Sequence, residues 1–146
     1  MGLITNGSKM ELINPPKTYR VLNNVSYNCQ YHIIFCTKYR RKVLVDEIAA
    51  DLKKIIEAKQ EEIGYRIISL DITADHVHLV SEVNPEFSVI AVISRIKAAS
   101  SHALREKYAV LRSRIPTLWT RVNFISTIGS VALSDIETFI EEQKKR

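Results

Sequence analysis

The chain has 146 residues, 46% of them hydrophobic and 25% charged, the balance of one globular domain with room for a buried core. No apolar run reaches the length of a membrane span, and the opening MGLITNGSKMELINPP lacks the pattern of a secretory leader, so a cytoplasmic protein with no membrane partner is expected. A net charge of +5 tilts the chain toward polyanions without naming one.

Residues 1–20 show no sustained periodicity and contain Pro15-Pro16; they read as an arm or extension ahead of a single domain over 21–146. From Ser26 the pattern changes. SYNCQYHIIFCT alternates, placing Tyr27, Cys29, Tyr31, Ile33, Phe35 and Thr37 on one face of a strand. Cys29 and Cys36 then fall on opposite faces and read as reduced, buried small side chains rather than a disulfide. The strand runs out into KYRRK (38–42). With Tyr31, Phe35 and Tyr39 interleaved, this cluster has the make-up of a single-strand nucleic-acid surface, although a solvated basic face would look the same. Lys38, Arg40, Arg41 and Lys42 are the candidate phosphate contacts.

Asp46 is placed to cap a helix carrying Ile48, Leu52, Ile55, Ile56 and Ile63, with Gly64 closing it. YRIISLDIT (65–73) and HVHLVSEV (76–83) follow as two strands of an antiparallel hairpin. Asn84-Pro85 breaks the chain, and Ser88 can cap a long helix with Val89, Val92, Ile93, Ile96 and Leu104 on one stripe. LWTRVNFISTIG (118–129) is a fourth strand. In SDIETFIEEQKKR (134–146), Ser134 and Glu137 have capping-box spacing. The order β-α-β-β-α-β-α predicts an α+β fold: a ferredoxin-like or RRM-like antiparallel sheet with helices on one face, plus an appended C-terminal helix.

Within this scaffold His76 and His78 share one face of their strand, about 7 Å apart. They are either half-exposed surface polarity or part of a metal site, which needs a further ligand from elsewhere. His32 either reaches that face or merely packs there. On the last helix, positions 139 and 143 are four apart and share a side. Gln143 can offer a carbonyl oxygen to a hard divalent ion, or simply face solvent.

Four segments, YHIIFCTKYRRKVL (31–44), DHVHLV (75–80), LWTRVNFISTIGSV (118–131) and IETFIEEQ (136–143), taken in this order and spacing, resemble the HUH single-tyrosine transposases of bacterial and archaeal insertion sequences, the group named for insertion sequences 200 and 605. The resemblance covers roughly residues 26–143. It implies a homodimer that cuts and rejoins single-stranded DNA beside a hairpin at the element's ends, through a 5′-phosphotyrosine intermediate. It further implies Mg2+ or Mn2+ held by His76, His78 and Gln143, with the ion polarising the scissile phosphate.

One position departs from the family. The nucleophilic tyrosine of the pattern Tyr-Ile-x-x-Gln falls at Phe139, which has no hydroxyl, so this chain should bind metal and DNA and fail to cleave. Tyr19, Tyr27, Tyr31, Tyr39, Tyr65 and Tyr108 lack a glutamine four residues on and are poor substitutes. Phe139 is then either an introduced substitution or the residue of a natural copy kept for binding, and a catalytically silent hairpin-binding protein is the nearest alternative. An RRM-like RNA-binding module would want exposed sheet aromatics, and a small metal-dependent hydrolase would use the same histidines on water.

Overall fold

The structure is a computed structural model that describes residues 3–6, 9–12, 20–22, 25–27, 29–127 and 133–145, with side chains described for 27, 29–127 and 137–144. Two short antiparallel pairs come first: β1 (Leu3–Asn6) with β2 (Lys9–Leu12), and β3 (Arg20–Leu22) with β4 (Val25–Tyr27). The first pair lies in the arm, where the sequence pattern does not announce it; the second draws Ser26 and Tyr27 out of the single strand expected over 26–37, so that strand is split between two sheets.

The rest follows the predicted order. β5 (Gln30–Thr37) leads through a 3-10 turn, Lys38–Arg40, to α1 (Asp46–Ala58) and the single turn α2 (Gln60–Ile63). Then come β6 (Tyr65–Ile72), β7 (His76–Val83), α3 (Val89–Lys107), α4 (Ala109–Ser113), β8 (Trp119–Thr127) and α5 (Leu133–Glu142), which tightens into a 3-10 turn at Gln143–Lys145. The four long strands form one sheet in the order β6-β7-β5-β8, every neighbouring pair antiparallel. That order is the ferredoxin-like arrangement the α+β reading anticipates.

Strand parity decides the two faces. Ile33, Phe35, Val77 and Leu79 point to one side and join Leu52 and Ile56 of α1 and Val92, Ile93, Ile96 and Leu104 of α3 in the core. Phe35 meets Trp119 edge-on at 4.7 Å, and the Trp119 indole donates to Ser100 Oγ at 3.0 Å. Ile34 and Cys36 point the other way yet are 0% exposed, so the second face is also covered. Burial pushes the Cys36 thiol up to about 12, as a reduced cysteine kept away from solvent requires.

Local expectations fare unevenly. Ser88 caps α3, accepting from the Ala91 amide at 3.4 Å. Gly64 closes α2 with φ of 103°, a left-handed conformation; the Phe87 ring stands 2.5 Å from where a Cβ would be, so any side chain there collides as well as strains. Asp46 is not the cap: Val45 holds that position, and Asp46 is the first helical residue, at φ of 50° and without a side-chain capping bond. The first helix also breaks at Lys59 instead of running on to Ile63. Gly129 lies outside the described residues, and so does the Ser134 side chain of the capping box. Among the described residues no helix is long and apolar enough to cross a membrane.

Candidate active site

Strand register builds the site. His76 lies opposite Cys36 of β5, and His78 lies between Ile34 of β5 and Asp71 of β6. Parity puts Asp71, His76, His78, His32 and Phe124 on the face away from α1 and α3, and that face is where the polar groups gather.

The residue before the first histidine orients it. Asp75 is buried, and its Oδ1 is 2.8 Å from His76 Nδ1, with Thr73 Oγ1 2.7 Å from the same nitrogen. Burial raises the Asp75 carboxyl, but hydrogen bonds from His76 and Arg40 outweigh it and hold the group below its ordinary value. An ionised Asp75 only accepts, so His76 donates through Nδ1 and its Nε2 is turned away from the carboxylate. This is the carboxylate-histidine arrangement that prepares an imidazole for a metal.

His78 Nε2 is 3.1 Å from His32 Nδ1, with the ring centroids 5.4 Å apart. Burial, followed by the His32 charge, pushes the His78 pKa down, with Asp71 opposing, which favours the neutral ring that a metal ligand must be. The open question over His32 resolves: it shares the face and touches His78.

The last helix lies on this face. The Phe139 ring packs on Phe124 at 5.3 Å between centroids, tilted by 56°. One turn later Gln143 is 1% exposed, far from the solvent-facing alternative, and its Oε1 is 3.4 Å from the Thr120 hydroxyl. Pairing shifts in β8 from Asn123 opposite Phe35 to Trp119 opposite Thr37, so residues 120–122 bulge beside Cys36. Thr120 and His76 therefore flank Cys36 from its two neighbouring strands, about 10 Å apart by strand spacing. Lys97, driven down to about 8 by burial, steadies the bulge from the core side by donating to Thr120 O at 2.6 Å and Asn123 Oδ1 at 2.8 Å.

Among the described residues no group of three or more His, Cys, Asp and Glu is placed to hold a metal ion. An ion here would need an amide or substrate oxygen besides the histidines. Gln143 Oε1 fits that need: it is a hard neutral oxygen whose contact among the described residues is a long one to the Thr120 hydroxyl.

The basic cluster divides. Arg41 and Lys42 are exposed, and Lys38 Nζ lies 5.1 Å from the centre of the exposed Tyr39 ring. Arg40 turns inward: its Nε and Nη2 meet Asp75 Oδ2 at 2.9 and 2.8 Å, and its Nη1 meets Glu141 Oε2 at 2.9 Å and the Ile140 carbonyl at 3.3 Å. Of the three aromatics interleaved with the cluster, Phe35 is in the core and Tyr31 packs against it, which leaves Tyr39 for stacking. Asp75 and Thr73 are the site residues that motif spacing passes over. The only signal for them is that polar side chains flank the first histidine.

The family profile described as "Transposase IS200 like" matches residues 25–143. The ISDra2 transposase TnpA of Deinococcus radiodurans is 31% identical over 119 residues, spanning 80% of this chain and 85% of that protein. The transposase for insertion sequence element IS200 of Salmonella typhimurium is 30% identical over 128 residues, spanning 84% and 81%. Among solved structures, a chain assigned as a transposase from Deinococcus radiodurans R1 superposes with a TM-score of 0.78 at 28% identity, covering 85% of this chain and 97% of that one. A REP-associated tyrosine transposase bound to a REP hairpin shares the fold, with a TM-score of 0.55 at 13% identity over 77% of this chain and 62% of that one.

Proposed function

The chain belongs to the IS200-like transposases, and from that premise we propose that its site is built to cut and rejoin single-stranded DNA beside a hairpin at insertion-sequence ends. Phe139 and Gln143 carry the reading: they lie four residues apart, in the last turn of α5 and in the 3-10 turn that follows it, and both contact the strand that flanks the histidine-bearing face.

His76 through Nε2, His78, and Gln143 through Oε1 would hold a divalent ion, Mg2+ or Mn2+. Such an ion supplies positive charge to the scissile phosphate. Asp75 keeps the His76 tautomer, and the Phe124 ring holds residue 139 against the sheet. A tyrosine at 139 would add a hydroxyl to a ring already packed there. Its oxygen would bond to the 5′ phosphorus as the P–O3′ bond breaks, the tyrosine proton being lost and the 3′-hydroxyl released. The phosphoester keeps the bond available for rejoining.

With Phe139 that step has no nucleophile, which favours a second reading: a silent hairpin binder of the same fold. A protein of this fold has been solved on a REP hairpin, which makes such DNA a compatible partner. The homodimer implied by the family resemblance belongs to the same proposal. Lys38, Arg41 and Lys42 are the phosphate contacts we favour, because Arg40 is engaged within the fold. Arg41→Ala/Lys42→Ala should lower the log–log salt slope of hairpin binding by roughly 1.8; an unchanged slope removes them.

Phe139→Tyr, incubated with hairpin-ended single-stranded DNA and Mg2+, separates the readings. A covalent adduct at residue 139 supports the transposase. Tight binding with no adduct leaves the silent binder.

A further inference from the structure

The sequence offers Arg40 as one of four equivalent basic residues, but the fold singles it out. Its guanidinium makes four contacts, two to Asp75 and two to α5, and its side chain is only 15% exposed. A phosphate would have to displace all of these to reach it.

The backbone is shaped to aim it inward. Tyr39 and Arg40 have φ of 57° and 50°, consecutive left-handed residues that neither side chain favours. Such a turn persists when its surroundings hold it. Here Lys38 N donates to Leu118 O at 2.9 Å and Thr37 N to Asp75 O at 3.0 Å, while Thr37 Oγ1 donates to Arg41 O at 2.7 Å. This reversal sends Arg41 and Lys42 to solvent and Arg40 beneath α5.

The contacts form a relay. His76 Nδ1 bonds Asp75 Oδ1, Asp75 Oδ2 takes Arg40, and Arg40 holds the Ile140 carbonyl and the Glu141 carboxylate, the two residues after Phe139. The fork geometry of arginine suits this task, because one planar group reaches a carboxylate on one side and a helix on the other. Lysine, a single charged point, cannot span both.

We propose that Arg40 is the positioning residue that docks the nucleophile helix onto the carboxylate orienting His76, and so sets residue 139 and the first histidine in one frame. Its importance for cleavage rests on the transposase reading; the docking itself does not.

The test uses the full chain labelled with 4-fluorophenylalanine, which gives four fluorine signals, from Phe35, Phe87, Phe124 and Phe139. Arg40→Ala should move the Phe139 and Phe124 signals toward that of the free amino acid and leave Phe35 in place. Arg40→Lys should fall between. If Arg40→Ala unfolds, so that Phe35 moves too, Glu141→Gln decides: it removes the charge of one exposed partner and should shift Phe139 in the same direction by less. Hairpin-DNA binding against salt is the second readout, and Arg40→Ala should keep the slope of the parent chain. Unmoved Phe139 and Phe124 signals, or a slope lowered by about one as for a lost phosphate contact, overturn the proposal. In the Phe139→Tyr background Arg40→Ala should slow adduct formation about 100-fold. Absence of any adduct with Arg40 intact would instead count against the transposase reading and leave the fluorine result standing.

Discussion

The two halves of the site are held in different ways. The histidines sit on β7, bonded on both sides by β5 and β6, and their spacing is set by the sheet ladder itself. Residue 139 sits on α5, held to the described sheet face by one ring contact, one long amide contact and the Arg40 fork. The first half is part of the folding core. The second is a docked element, so losing one of its contacts should disturb the domain less than losing a strand contact.

Stability should separate the halves most strongly. Phe35→Ala removes a 0% exposed ring packed on Trp119 and should cost about 3–5 kcal/mol, read from the urea midpoint. Phe139→Ala removes a partly buried ring at a docked helix and should cost about 1 kcal/mol or less. Equal costs would mean that α5 belongs to the cooperative core.

Metal binding gives the next largest effect. Asp75→Asn keeps the shape and weakens the partner of His76 Nδ1, so Mn2+ affinity measured by calorimetry should fall about 10–100-fold. Phe139→Leu should leave that affinity unchanged, because its ring takes no part in the donor set. If both variants bind alike, the sheet does not prepare His76 for an ion.

The smallest effect is in pH. Lys97 falls from 10.5 to about 8 in the fold, so between these values the unfolded chain binds more protons and stability rises with pH. Cys36 goes the other way, from 9.0 to about 12, so its share is lost as pH rises above 9. Urea midpoints should therefore climb between pH 8 and 9 and then flatten. Lys97→Met should remove the climb, and Cys36→Val should extend it.

How much could be read in advance follows the same division. Alternation over residues 30–37 and helical spacing over α1 and α3 put the core residues on their faces, because burial imposes those periods; the same alternation misled over Tyr27, which belongs to the separate β3-β4 pair. The His76–His78 pair was legible for the same reason. Arg40 was not: in KYRRK all four cations look alike, and only the left-handed turn at Tyr39 and Arg40 tells them apart. The β8 bulge under Gln143 was hidden too, since nothing in LWTRVNF announces that residues 120–122 slip out of register. Interactions carried by periodicity show in one dimension. Those carried by a single turn or a single fork do not.

If the proposed reading holds, His76, His78 and Gln143 suffice for the ion and the chain lacks only the hydroxyl at position 139. Intact-mass measurement tests it on four chains, the parent and Phe139→Tyr, each with and without His76→Ala, all given hairpin-ended single-stranded DNA and Mn2+. A DNA adduct on residue 139 is expected in Phe139→Tyr alone. No adduct in that chain despite tight DNA binding, or an adduct that survives His76→Ala undiminished, would contradict it.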